Sequence, residues 1–207
     1  MSDDARYPVP GGRHRTEETI ERSRFVCTIT RVSTPEEAQL LVRELNAEFA
    51  DATHNCWAYV IGAPGSTGRI GMSDAGEPHG TAGRPMLTVL LHSGIGDIAA
   101  VVTRYYGGVK LGTGGLGRAY GGAVQNALAT LPRIERIEWL DLTIILDYTS
   151  IATVRRLLPA YEAELVSEEY GNEVHFHLRV PASQTISLQS ALLDATQGQM
   201  RVVSPDE

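Results

Sequence analysis

Arg104-Tyr105-Tyr106-Gly107-Gly108-Val109-Lys110-Leu111-Gly112-Thr113-Gly114-Gly115-Leu116-Gly117-Arg118-Ala119-Tyr120 is the stretch from which the rest of the chain reads outward. The residues leading into it, Ile98 to Tyr105, are β-branched and aromatic and predict a strand. Those after it place apolar side chains at Leu116, Ala119, Tyr120, Ala123, Ala127, Leu128 and Leu131, a helical period. A glycine-rich loop therefore joins a strand to a helix. Glycine admits positive φ and lets another molecule reach bare N–H groups, and a helix amino end adds partial positive charge. Lys110 is the sole lysine of the chain, and Arg104 and Arg118 flank it. Two readings stand: glycines that let strand and helix pack tightly, or an anion site built from Arg104, Gly107, Gly108, Lys110, Gly112, Gly114, Gly115 and Arg118.

Neither standard nucleotide motif fits. Gly112 to Gly117 matches G-x-G-x-x-G, but that fingerprint follows its strand almost directly and needs an acidic residue about 20 positions on, at a second strand end. Here Gly107 to Leu111 intervene, and Glu135 and Glu138 lie outside any clear strand end. A Walker A loop needs Ser or Thr after its lysine, and Lys110 is followed by Leu111.

Three ordered blocks carry a family likeness: Thr53-His54-Asn55-Cys56-Trp57-Ala58-Tyr59, then Ser73-Asp74-Ala75-Gly76-Glu77-Pro78-His79-Gly80-Thr81-Ala82-Gly83, then the glycine-rich stretch. Together they resemble the signature blocks of the YigZ/Impact family, over residues 22–203. The resemblance implies an α+β protein of two domains, the first with the fold of ribosomal protein S5 domain 2 and the second like the last domain of elongation factor G. It also implies a regulatory role near translation, since eukaryotic members act on the activation of a translation-inhibiting stress kinase. That kinase partner is not carried over to a chain that looks bacterial. Members commonly show a second Asp where this chain has Ala75, and a Ser where it has His79. A mechanism needing that carboxylate pair is not expected here.

Bulk composition sets outer bounds. With 207 residues, 43% hydrophobic and 21% charged, the chain suits one large or two small soluble domains. No apolar run reaches the roughly 18 residues of a membrane span, and the start, with Asp3, Asp4, Arg6 and Pro8, lacks a signal-peptide core. A cytoplasmic protein is expected. Cys27 and Cys56 are too few for a disulfide framework. A net charge of −7 argues against coating DNA or RNA non-specifically. The charge is uneven, net −1 over residues 1–138 and net −6 over residues 139–207. Any anion site thus belongs to the first part, and the acidic second part is a candidate surface for a protein partner.

In chain order, residues 1–16 lack periodicity and read as a flexible or loosely docked tail, followed by a first domain over 17–138 and a second over 139–207. A strand is expected over Arg24 to Val32, then a helix opened by Thr34, Pro35 and Glu37 with a stripe of Ala38, Leu41, Val42, Leu45 and Phe49. Cys56 to Ile61 reads as a strand, Gly62 to Gly83 as loop, and Met86 to Leu91 as another strand. The boundary falls at 133–139. Beyond it come a strand at Leu142 to Tyr148, a helix at Ile151 to Tyr161 capped by Ser150, a hairpin turning at Gly171-Asn172, a helix at Ser183 to Ala195 and a strand at Met200 to Val203. This β-α-β-β-α-β order is ferredoxin-like.

The chemistry-bearing candidates are few. His54, Asp74 and Glu77 are the weak catalytic candidates, with Asp74 and Glu77 more readily seen accepting backbone N–H bonds that hold their loop. His54 with Cys56 lacks the further ligands zinc requires, and His175 with His177 reads as a solvated sheet face. No metal or cofactor is expected. The leading functional reading is a binding module gripping RNA, a nucleotide or another anion of the translation machinery. The alternative is an enzyme acting on a phosphorylated small molecule or nucleotide.

Overall fold

The apolar run Ile98–Tyr105 forms β6 (Ile98–Tyr105), buried on both faces at the centre of a five-stranded sheet. The computed structural model describes residues 6–203. They divide into two compact units, one of residues 7–135 and one of residues 136–203 with Arg6. Both mix helices with antiparallel sheet, so the protein is α+β with two parts.

In the first unit, β2 (His14–Ile20), β3 (Ser23–Arg31), β6, β4 (His54–Ile61) and β5 (Arg69–Ser73) lie side by side in that order, every neighbouring pair antiparallel. Helices α2 (Gly83–Leu91) and α3 (Gly112–Thr130) cover one face. Phe25, Ile29, Cys56 and Val102 pack there against Met86, Leu90, Leu116, Tyr120 and Val124. Phe25 meets Tyr120 edge to face, centroids 5.4 Å apart at 90°, an arrangement worth about 1 kcal/mol beyond burial. Helix α1 (Pro35–Glu48) covers the other face, its Leu41 and Leu45 packing on Ile61 and Val101. Thr34 caps α1 by accepting from the Glu37 N–H at 3.2 Å, while the Glu37 carboxylate reaches back to the Ser33 N–H at 2.6 Å. That is the expected capping box, moved one residue outward.

Several expectations need correction. Residues 6–16 are not a tail: β1 (Arg6–Pro10) buries Tyr7 and Val9 and pairs with β7 (Arg133–Ile137), and β2 begins at His14. Two prolines hid a period-2 pattern only five residues long. Residues 1–5 lie outside those described. Met86 to Leu91 is helix, not strand, because its buried positions, Met86, Leu87 and Leu90, recur at helical spacing and the amino end is held by Asp74. Within the expected loop lies the edge strand β5, where Gly71 opposes Tyr59; a Cβ there would sit 2.4 Å from the tyrosine ring.

The second unit runs β8 (Trp139–Leu146), α4 (Ile151–Leu157), β9 (Glu164–Tyr170), β10 (Val174–Pro181), α5 (Thr185–Ala195) and β11 (Arg201–Val203). Its sheet has the order β11-β8-β10-β9, all antiparallel. Ile144, Phe176 and Leu178 form a core with Val154, Leu188 and Leu192. Ser150 does not cap α4 with its side chain; Asp147 accepts the Ser150 N–H instead, at 2.8 Å. His177 bonds Thr143 at 3.0 Å across the sheet and lies 3.6 Å from Glu169.

The turn after β6 depends on a missing side chain. A Cβ on Gly107 would lie 1.9 Å from the Arg22 carbonyl oxygen, whereas one on Gly122 of α3 would meet nothing within 4 Å. Gly107→Ala should destabilise the protein by about 3 kcal/mol, the upper end for overpacking. Gly122→Ala should stabilise by about 0.5–1 kcal/mol. Denaturant melts of both variants check the contrast; equal behaviour would refute the packing role of Gly107.

Candidate functional site

The glycine-rich stretch is shorter as a loop than its sequence suggests. Chain leaves β6 at Tyr105 and is helical again by Gly112, so the loop proper is 106–111, and Gly114, Gly115 and Gly117 stand inside α3. Gly108 and Gly112 have φ of +86° and +70°, a conformation that favours glycine. Gly117 and Gly121 face Pro85 of α2, where an added Cβ would make ordinary contacts at 3.6 and 3.8 Å. Packing does not account for Gly114, which is exposed, its added Cβ finding only the Arg118 guanidinium at 3.6 Å.

Beside this helix start lies a cavity of about 510 Å³, lined by Thr53, His54, Glu77, Pro78, Arg104, Tyr106, Lys110, Leu111, Gly112, Thr113 and Leu116. No side chain caps the amino end of α3. Lys110 is exposed at the cavity and forms no ion pair among the described residues. Arg118, also exposed, does not line it.

Arg104 differs most from its expected role. It is only 5% exposed. Its Nη1 donates to Glu77 Oε1 at 2.6 Å and its Nη2 to Ser23 Oγ at 3.3 Å. The same Glu77 oxygen accepts the Tyr120 hydroxyl at 2.8 Å. Arg104 is thus a wall of the cavity whose charge is already matched, and Glu77 is its counterion. The partnership joins residues 27 apart in sequence, which no local pattern signals.

Asp74 holds backbone. One oxygen accepts the N–H groups of Ala82 and Gly83 at 3.0 and 2.9 Å, the other that of Gly80 at 2.8 Å. Burial by itself would raise its pKa, but these bonds favour the charged form and hold it below the ordinary value. His54 is fixed by a 2.9 Å bond from Nδ1 to the Ala75 carbonyl. A carbonyl only accepts, so Nδ1 carries the proton and neutral His54 turns an acceptor, Nε2, toward Glu77. Cys56 shares its face of β4, as expected, and donates to the Asp74 carbonyl. Burial pushes its thiol up to about 12, far from nucleophilic range. Among the described residues no group of three or more His, Cys, Asp or Glu is placed to hold a metal, and no helix is long and apolar enough to cross a membrane.

Fold and site together define a two-part α+β protein whose first unit carries a walled cavity at a glycine-started helix. The Impact N-terminal domain matches residues 21–128, and a domain of unknown function, DUF1949, matches residues 144–199. IMPACT family member YigZ of Escherichia coli (strain K12) is 36% identical over 96% of this chain and 98% of its own. IMPACT family member YvyE of Bacillus subtilis (strain 168) is 40% identical over 90% of this chain and 84% of its own. A crystal structure of a hypothetical protein aligns with TM-score 0.67 and 35% identity, over 98% of each chain. The chain belongs to the IMPACT family.

Two consequences follow for stability. Arg104→Ala leaves Glu77 buried without its cation and should cost about 3–5 kcal/mol, read as a lowered Tm; a loss within about 1 kcal/mol would show the pair to be hydrated instead. Asp74, its folded pKa depressed, contributes stability above its ordinary value of 3.8 that is lost as pH falls further. The acid limb of a Tm-against-pH profile should therefore flatten below about pH 4 in Asp74→Asn, and an unchanged limb would refute this.

Proposed function

We propose that this protein is a binding module that holds a phosphorylated ligand of the translation apparatus, RNA or a nucleotide, at the amino end of α3. The observation that carries the reading is the meeting of an uncapped helix start with the unpaired Lys110 at one cavity. Helix N–H groups and a lysine ammonium are complementary to phosphate, and about 510 Å³ lies in the range of small-ligand sites. Lys110 and the helix start are the heart of this site, with Gly112 and Gly114 keeping its first turn bare; Arg104 shapes it from behind.

The family likeness supports the link to translation, as does a reading of the two folds. We take the first unit as S5 domain 2-like, and the second, by its β-α-β-β-α-β order and β11-β8-β10-β9 sheet, as ferredoxin-like. Buried, unpaired cysteines suit a reducing cytoplasm. An enzymatic reading has less support, because Asp74 is occupied by backbone, Glu77 by Arg104 and Tyr120, and Cys56 is held as a thiol.

Binding of nucleotides and short RNA by wild type and Lys110→Ala, titrated across salt concentrations, tests the proposal. Lys110→Ala should weaken binding about tenfold, a charge-assisted hydrogen bond's share, and reduce the salt slope for RNA by about one. Identical affinity and slope in both proteins would sink it.

A further inference from the structure

Two hydrogen-bond acceptors confront each other in this cavity, and the protein places no donor between them. His54 Nε2, the acceptor of the neutral ring when Nδ1 donates to Ala75, lies 4.0 Å from Glu77 Oε2. Glu77 Oε1 already takes Arg104 and Tyr120. Among the described residues nothing donates to Oε2. Facing lone pairs at this separation suit neighbouring hydroxyls that each donate to one.

A third feature narrows the ligand further. Tyr106 is 46% exposed at the cavity, and the Arg104 guanidinium stands 5.4 Å from its ring centroid. The buried arginine backs the ring and holds it in place, and the exposed remainder of the ring is available to another flat group. Anion, hydroxyl and ring are thus each provided for by different residues of one cavity.

Resting on the anion-site reading above, we infer that the cavity takes a ribonucleoside phosphate. The phosphate meets Lys110 and the start of α3, the sugar hydroxyls donate to His54 and Glu77, and the base stacks on Tyr106. A 2′-hydroxyl donating at His54–Glu77 makes the site selective for ribose over deoxyribose. A free nucleotide and the 5′-phosphorylated end of an RNA share the phosphate, the 2′-hydroxyl and the base, while the RNA has its 3′-oxygen esterified.

The test compares adenosine 5′-monophosphate with 2′-deoxyadenosine 5′-monophosphate by calorimetric titration of the full chain. Wild type should prefer the ribonucleotide by about tenfold, because the analogue, once bound, covers an acceptor that it cannot donate to. His54→Phe should bring that ratio close to one, and so should Glu77→Gln, whose amide can itself donate to His54 Nε2. Lys110→Ala should weaken both ligands and keep the ratio. Melting temperatures of the variants confirm that each is folded at the titration temperature. Equal wild-type affinity for the two probes, with Lys110 still required, would overturn this inference and leave the anion site standing. Failure of wild type to bind the probes or a 5′-phosphorylated RNA oligonucleotide would overturn both. Ribose selectivity seen with the RNA against its DNA counterpart supports the inference equally, and the tighter of RNA and mononucleotide identifies the source.

Discussion

The buried contact between Arg104 and Glu77 is the constraint on which the first unit depends. It ties the end of β6 to the loop before α2, and through the Tyr120 hydroxyl to the second turn beyond the start of α3. Removing two charges from water is expensive, and their attraction offsets it only with good geometry and further hydrogen bonds. Here Glu77 Oε1 takes two donors, and Arg104 also reaches Ser23. Such a pair adds little net stability over an apolar substitute, but a displaced partner leaves a bare charge in the core. The three segments that wall the cavity are therefore held in one relative arrangement.

Around that pair, the glycines separate into different jobs. Gly107 yields space to the Arg22 carbonyl, and Gly108 and Gly112 supply positive φ. Packing and anion readings are thus not rivals; the same run of sequence fits its turn against the Arg22 backbone and leaves the first turn of α3 bare. Asp74 completes the frame by holding the amino end of α2, so the two helix starts of this face differ: α2 has its own carboxylate, and α3 has none.

How much of this was legible depended on the reach of the signal. Strand β6 and the buried stripe of α3 were readable because apolar periodicity over eight and nineteen residues leaves little choice. Lys110 and the helix start were visible for the same local reason. Helix α2 was misread since Met86 to Leu91 is a short, mostly apolar run, and such a run does not distinguish strand from helix. Strands β1 and β5 are five residues each and take their shape from neighbours distant in sequence. Arg104 was assigned to ligand because its counterion lies in another block, and only the folded sheet brings Glu77 beneath it. The role of Asp74 as a backbone acceptor was among the expected readings, but that of Glu77, which meets side chains instead, was not.

Charge accounting then says what kind of anion suits such a place. With Arg104 neutralised by Glu77 and Arg118 outside the cavity, Lys110 is the one unmatched full charge there among the described residues, joined by about half a charge from the helix start. A long polyanion draws its affinity from many phosphates neutralised together, and a chain of net charge −7 offers few further sites for that. One terminal phosphate is different: its charge is concentrated on a few oxygens that a single lysine and a few N–H groups can surround. On the proposed reading, affinity would come mainly from what accompanies a phosphate into the cavity, and the walls that would meet it are those fixed by the Arg104–Glu77 pair.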